Sequence, residues 1–187
     1  MSIVIEHLSK RFGTETVLTD FCWRVEGPTV LMGASGIGKT TLLRILLGLE
    51  TADSGSVSGV VRPAVVFQEN RLCPQLYAVD NLVLTGHGLG SETAEKELLA
   101  LGFAPAELKL PAARLSGGQK RRVALLRALL CQDAETLLMD EPFTGMDAEL
   151  VRLAVQTTVR LAGQRPTILV THDLAAAQML SWPIREF

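Results

Sequence analysis

The sequence predicts an α/β fold built on a parallel sheet, and three observations predict it. Short β-rich runs alternate with stretches of helical pattern along most of the chain, which implies strands joined by helices that cover the faces of the sheet. Two runs, Thr136–Met139 and Thr167–Val170, lack the polar alternation of a half-exposed strand, as strands buried on both faces do. Residues 69–116 break the pattern: they read as helical, with turns at Gly86–Gly90 and Pro105 and no clear strand. They are expected to form a helical subdomain inserted between two parts of an α/β core, residues 1–68 and 117–187.

In chain order, strands are expected at Ile3–Ile5, Val17–Trp23, Val30–Met32, Val57–Val61 and Val65–Phe67, ahead of the two buried runs. Helices are expected at Lys39–Leu47, Ser91–Leu101, Gln119–Leu130, Ala148–Leu161 and Leu174–Leu180. Asp147 and Asp173 stand where N-cap carboxylates belong. Gly163 closes the helix before it, and Pro166 could not continue one.

A length of 187 residues suits a single domain, 1–187, with a substantial core. Hydrophobic residues at 48% and charged ones at 20% exclude a disordered chain. A net charge of −2, from 18 Lys+Arg against 20 Asp+Glu, gives no general attraction for nucleic acid. Cys22, Cys73 and Cys131 are odd in number and scattered, which suits reduced thiols in the cytosol better than disulfides or a zinc site. The start, MSIVIEHLSKRFG, has no signal-peptide pattern. No apolar stretch reaches the length of a bilayer span, and the greasiest, Val123–Cys131, is interrupted by Arg127. A membrane role must therefore come through a partner.

Gly33-Ala34-Ser35-Gly36-Ile37-Gly38-Lys39-Thr40 matches the phosphate-loop pattern GxxxxGK[ST] in full, with an apolar strand leading in and a helix following. Glycines let the backbone curl so that successive N–H groups face one anion, and the helix N-terminus adds partial positive charge. Lys39 is expected on the β- and γ-phosphates, and the Thr40 hydroxyl on Mg²⁺. Thr136-Leu137-Leu138-Met139 ends in Asp140 and Glu141. Behind a phosphate loop, Asp140 fits the Mg²⁺ shell and Glu141 fits the group that orients or deprotonates water. Leu115-Ser116-Gly117-Gly118-Gln119 before a helix offers a second anion site, or, more blandly, an N-cap with a Gly-Gly hinge. A second phosphate site suggests a γ-phosphate held from a neighbouring molecule.

LSGGQ is the signature motif of ABC-transporter nucleotide-binding subunits, and the chain resembles that family over essentially its whole length. The resemblance implies the ABC ATPase fold: a phosphate-loop NTPase core with a parallel sheet, an N-terminal antiparallel β region and the inserted helical subdomain. It implies ATP and Mg²⁺, and a head-to-tail homodimer or paired cassette with ATP between one phosphate loop and the other LSGGQ. Nucleotide contacts would then fall on Gly33, Ala34, Ser35, Gly36, Ile37, Gly38, Lys39, Thr40 and Thr41, and across the dimer on Ser116, Gly117, Gly118 and Gln119. Phe12 sits where the family usually places an aromatic, most often Tyr, against adenine; it keeps the stacking face but loses the hydroxyl. Gln68 resembles the glutamine that touches Mg²⁺ and opens the helical subdomain, and His172 the switch histidine that senses γ-phosphate. Asp147 resembles the aspartate that speaks across the dimer, although Thr144-Gly145-Met146 before it departs from the commoner Ser-Ala-Leu.

Lys120, Arg121 and Arg122 open a helix without an aromatic platform or a wider basic stripe, and read as a solvated face. The segment from Phe67 to Pro74, followed by Val79-Asp80-Asn81-Leu82, resembles subunits of small-solute importers of the nitrate/sulfonate/taurine and thiamine types. That likeness implies an ATPase driving an integral membrane permease from the inner face of the cell membrane, with a solute-binding protein as a further partner. Leu72, Pro74, Leu76 and Tyr77 would line the groove that receives the permease. The alternative is a soluble ABC ATPase acting on a non-transport partner; a single cassette, the acidic balance and no insertion speak against it.

Overall fold

The computed structural model describes residues 2–187. In chain order these form β1 (Ile3–Phe12), β2 (Glu15–Val25), β3 (Pro28–Met32), α1 (Lys39–Leu46), β4 (Ser54–Ser58), β5 (Pro63–Val66), α2 (Ala78–Val83), α3 (Ser91–Ala100), α4 (Gly117–Leu129), β6 (Thr136–Asp140), α5 (Ala148–Ala162), β7 (Thr167–Thr171), α6 (Leu174–Leu180) and β8 (Ile184–Glu186). Two sheets result. One is antiparallel, in the order β2-β1-β4. The other is parallel throughout, in the order β5-β6-β7-β3-β8.

Strand β1 runs well past the expected Ile3–Ile5 because a bulge resets its alternation. Ile3 and Ile5 face inward, and then Leu8 and Lys10, so one inward step spans three residues instead of two. The pairing with β2 shifts at the same place, where His7 and Asp20 adopt φ of 51° and 47°. Strand β4 ends at Ser58, short of the expected Val61, because the chain turns at Gly59 with φ +79°. A Cβ there would lie 1.9 Å from the Ser2 carbonyl oxygen, so only glycine fits. The edge strand β8 had no sequence signal: it is three residues long, with Ile184 largely exposed.

Strands β6 and β7 are buried at every position, as their unbroken apolar runs predict. The two-residue period of a strand then divides them between two cores. Leu137, Met139 and Leu169 face one core, shared with α4, α5 and the apolar residues of 69–116, among them Leu82, Leu98, Leu101 and Phe103. Leu138, Ile168 and Val170 face the other, where Ile3, Ile5 and Trp23 of the antiparallel sheet meet Leu42, Leu43 and Leu46 of α1. Helix α1 is thereby held between the sheets.

Within residues 69–116, helices α2 and α3 are followed by two 3-10 turns, Glu107–Lys109 and Ala112–Arg114. Buried Asn81 organises the approach to α2: its side chain accepts from Cys73 N at 2.8 Å and donates to the carbonyls of Cys73, Leu76 and Tyr77. The helix ends carry the caps read from the sequence. Asp147 accepts from Leu150 N at 2.9 Å, Asp173 from Ala176 N at 3.1 Å, and Gly163 stands at the C-terminus of α5 with φ 59°. No helix among the described residues is long and apolar enough to cross a membrane.

Candidate active site

Because β3, β5, β6 and β7 are parallel, their C-terminal ends lie along one edge of the sheet. Ligands of open α/β sheets bind at that edge. It carries Gly33–Lys39 after β3, Gln68 just beyond β5, Asp140 and Glu141 at the end of β6, and His172 after β7. A cavity of about 300 Å³ opens there, lined by Ser35, Gly36, Gly38, Lys39, Thr40, Thr41, Gln68, Asp140, Glu141 and Val170.

The loop after β3 turns through Gly36 and Gly38, at φ +82° and +117°. At Gly38 a Cβ would also lie 2.3 Å from Val17 of the antiparallel sheet. The loop thus packs against that sheet, while Ser35, Gly36, Gly38 and the start of α1 line the cavity. Lys39 folds back over the loop, donating to the carbonyl oxygens of Gly33 at 2.7 Å and Ala34 at 2.8 Å. Its third ammonium proton is left for an anion.

The hydroxyl of Thr40 donates to Asp140 Oδ2 at 2.7 Å. Burial pushes the Asp140 carboxyl above its usual range; the Thr40 bond, Arg121 and Lys39 oppose that, and neighbouring Glu141 adds to it. Thr40, Asp140 and the Gln68 amide present oxygen donors to one cavity, the donor chemistry that Mg²⁺ takes. A buried carboxylate held off its ordinary pKa also suits a cation, so these residues fit the metal.

Glu141 turns off the end of β6 at φ 48°, a left-handed conformation that costs a non-glycine residue about 1–2 kcal/mol. The turn brings its carboxylate to β7, where Oε2 accepts from the Thr171 hydroxyl at 3.1 Å and Oε1 from His172 N at 3.0 Å. The His172 ring nitrogen Nδ1 lies 2.7 Å from the same Oε1. His172 therefore meets Glu141 directly, from the rim of the cavity.

Ser116–Gln119 and Phe12 stand outside this cavity. Ser116 Oγ accepts from Gln119 N at 3.2 Å while Gln119 Oε1 accepts from Ser116 N at 2.7 Å, a reciprocal cap on α4. The Gln119 amide also donates to Glu107 Oε1 at 2.7 Å. Gly118 lies against the turn after Glu141: a Cβ on it would come 2.7 Å from the Gly145 carbonyl oxygen. Phe12 ends β1, 46% exposed, with the Lys10 ammonium 4.7 Å from its ring centroid.

Residues 20–144 match the family of ABC transporters. The chain belongs to that family. It is 40% identical to the aliphatic sulfonates import ATP-binding protein SsuB 2 of Paraburkholderia xenovorans, over 97% of this chain and 74% of that protein. To the SsuB of Pectobacterium atrosepticum it is 38% identical, over 96% of this chain and 71% of the relative. To the Fe(3+) ions import ATP-binding protein FbpC of Agrobacterium fabrum it is 39% identical, over 96% of this chain and 56% of the relative. Among solved structures, a dimeric bacterial ABC transporter cassette superposes with a TM-score of 0.79 at 25% identity, covering 95% of this chain and 90% of that one. An ATP-binding cassette dimer bound to ADP and Pi in a post-hydrolysis state gives 0.80 at 23%, with the same coverage. This ABC cassette is thus an ATP-binding protein and an ATPase.

The basic run of the cassette corrects the sequence reading. Arg121 and Arg122 are buried, not solvated. Arg121 donates to the carbonyls of Phe67, Gln68, Asp140 and Glu141. Arg122 donates to Leu101 O at 2.7 Å and stacks 4.7 Å from the Phe103 ring. One turn further on, Arg127 holds the carbonyls of Arg71 and Asn70 at 2.7 and 3.1 Å. Burial lowers the pKa of all three. A signal was present: Arg121 shares a helical stripe with Leu125 and Leu129, four and eight residues on, and Arg122 one with Leu126. Cross-strand pairing likewise gathers His7, Asp20 and Cys22, with ligand atoms within 4.8 Å of one another. All three are exposed, and exposed acidic groups are common without an ion.

Proposed function

We propose that this cassette powers solute import through a separate membrane permease, hydrolysing ATP between two copies paired head to tail. The observation that carries the chemistry is the Glu141 carboxylate, held by Thr171 and His172 at the mouth of the cavity that contains Lys39. The loop N–H groups and Lys39 bind the phosphates, with the Lys39 ammonium exchanging its carbonyl partners for phosphate oxygens. Glu141 accepts a proton from the attacking water, and His172 fixes the orientation of its carboxylate. Thr40, Asp140 and Gln68 would hold Mg²⁺, which when bound neutralises phosphate charge. Ser116, Gly117 and Gly118 stand outside their own cavity, as groups serving the partner's nucleotide would.

Two features support transport. The relatives named for aliphatic sulfonates and for Fe(3+) share this cassette while differing in solute, which suits a chain that supplies energy and leaves selection to the permease. A groove on the helical section, lined by Tyr77, Val79, Leu99, Pro105 and Leu108 together with Asp80, Ser91, Glu95 and Lys109, offers a seat with an apolar floor and charged groups beside it. Of the residues expected there, Tyr77 lines it at 50% exposure, whereas Leu72 packs against the core. On this reading the cassette sits on the inner face of the membrane, and a solute-binding protein reaches the permease from the other side.

Purifying the tagged chain from detergent-solubilised membranes tests this reading. An integral membrane protein should co-purify in stoichiometric amount. Recovery of a soluble partner alone would overturn it in favour of a non-transport ATPase.

A further inference from the structure

Arg121 lies four residues beyond Gly117 on α4, one helical turn from its N-terminus. It is 4% exposed. Nη1 donates to the carbonyls of Phe67 and Gln68, the second at 3.2 Å. Nη2 donates to those of Asp140 and Glu141, the second at 2.6 Å, and Nε adds a bond to Glu141 O at 3.2 Å. One planar group therefore ties the end of β5 to the end of β6, the two strand ends that carry Gln68 and the paired acids. A guanidinium can do this because its N–H groups fan out from three nitrogens in a fixed plane, whereas the three N–H groups of an ammonium radiate from one nitrogen. A cation buried only for packing could take carbonyls anywhere along α4. These four belong to the two loops of the site.

The other end of this arrangement is the start of α4. Ser116 and Gly117 are exposed there, on the face that head-to-tail pairing turns toward the partner's nucleotide. We infer that Arg121 is a positioning residue coupling the two sites of the pair: capture of the partner's ATP at the N-terminus of α4 is passed through its guanidinium to the backbone of Gln68 and Glu141 in its own molecule. The inference rests on the pairing proposed above. Its physical content is stiffness. Hydrogen bonds weaken steeply when stretched or bent, so a shift of α4 carries both strand ends with it. Without the fork, α4 could meet the partner's phosphate while Glu141 stayed behind.

Hydrolysis by the full chain is measured against ATP concentration for the parent, Arg121→Lys and Arg121→Gln. Thermal melts and binding of a fluorescent ATP analogue by the monomer serve as controls. The parent should give a Hill coefficient above 1, up to the limit of about 2 for two sites. Both variants should fall to about 1, with kcat lower by about 10–100-fold, the loss that a slightly misplaced catalytic group brings. Analogue binding should stay within about threefold, because Lys39 and the loop N–H groups are untouched. Arg121→Lys keeps the charge, so its loss of cooperativity assigns the effect to the fork; it also carries the test should Arg121→Gln not fold. A parent coefficient of 1, or an unchanged coefficient in a folded variant, overturns the inference. Glu141→Gln run alongside keeps two failures apart. If it forms no ATP-dependent dimer, the pairing itself is wrong; if it does and cooperativity survives Arg121→Lys, only the coupling is.

Discussion

At the residue scale, Asp140 shows what the site costs the fold. Its carboxyl is buried at the end of β6 with the Thr40 hydroxyl as its hydrogen-bond partner, and burial raises its pKa. A raised pKa means that the folded chain holds the proton more tightly than the unfolded one, so the charged form opposes folding above that pKa. Asp140→Asn should therefore raise the Tm of the nucleotide-free chain at neutral pH. The gain should shrink as pH falls through the raised pKa and vanish below the ordinary carboxylate range. The same variant should bind Mg²⁺ with ATP less well. A Tm at neutral pH lower than the parent's would show that Asp140 is better compensated than its surroundings suggest. Lys39, Thr40, Asp140 and Glu141 were legible because each stands at a fixed spacing behind an apolar strand. Arg121 was legible only as a member of the buried stripe with Leu125 and Leu129; a run of three cations reads as solvated, and the carbonyls Arg121 holds come from distant strand ends. Glu141 and His172 were legible one at a time, and their contact depends on the left-handed turn at Glu141, which no motif encodes.

At the element scale, the start of α4 is a packed joint as well as a cap. Gly117 and Gly118 look alike in the sequence but differ in their surroundings. A Cβ on Gly117 meets nothing within 4 Å, whereas one on Gly118 meets the Gly145 carbonyl oxygen at 2.7 Å. Alanine in place of glycine in a helix is worth up to about 1 kcal/mol, and a forced backbone shift costs about 1–3 kcal/mol. Gly117→Ala should thus be stabilising by up to about 1 kcal/mol. Gly118→Ala should be destabilising by about 1–2 kcal/mol net, the clash outweighing the propensity gain. Urea denaturation of the two variants checks both, and equal effects would mean that α4 and the turn at Gly145 do not bear on one another. Element boundaries elsewhere followed the pattern closely where burial is two-sided, as in β6 and β7. They failed where tertiary geometry intervenes: the bulge at His7 hid most of β1, and β8 is a strand only because β3 offers it an edge.

At the scale of the whole molecule, parallel strands set the phosphate loop, Gln68, the paired acids and His172 along one edge, while the LSGGQ cap stands outside that cavity. The alternation of strands and helices made the parallel sheet legible. The strand order β5-β6-β7-β3-β8 and the division of the apolar runs between two cores depend on long-range packing and were not. The proposed pairing gives Ser116 and Gly117, exposed at the start of α4, a second role beside capping: holding the other copy's nucleotide. On the proposed pairing, ATP is hydrolysed between two copies, with Glu141 directing the water. Glu141→Gln keeps the shape of that side chain and removes the base, so turnover should drop by a factor on the order of 10²–10⁴ with binding retained. The decisive measurement is the mass of Glu141→Gln by light scattering with MgATP and with MgADP. The mass should be twice the monomer's with MgATP and the monomer's with MgADP. A monomer in both, with ATP bound and uncleaved, would contradict the pairing.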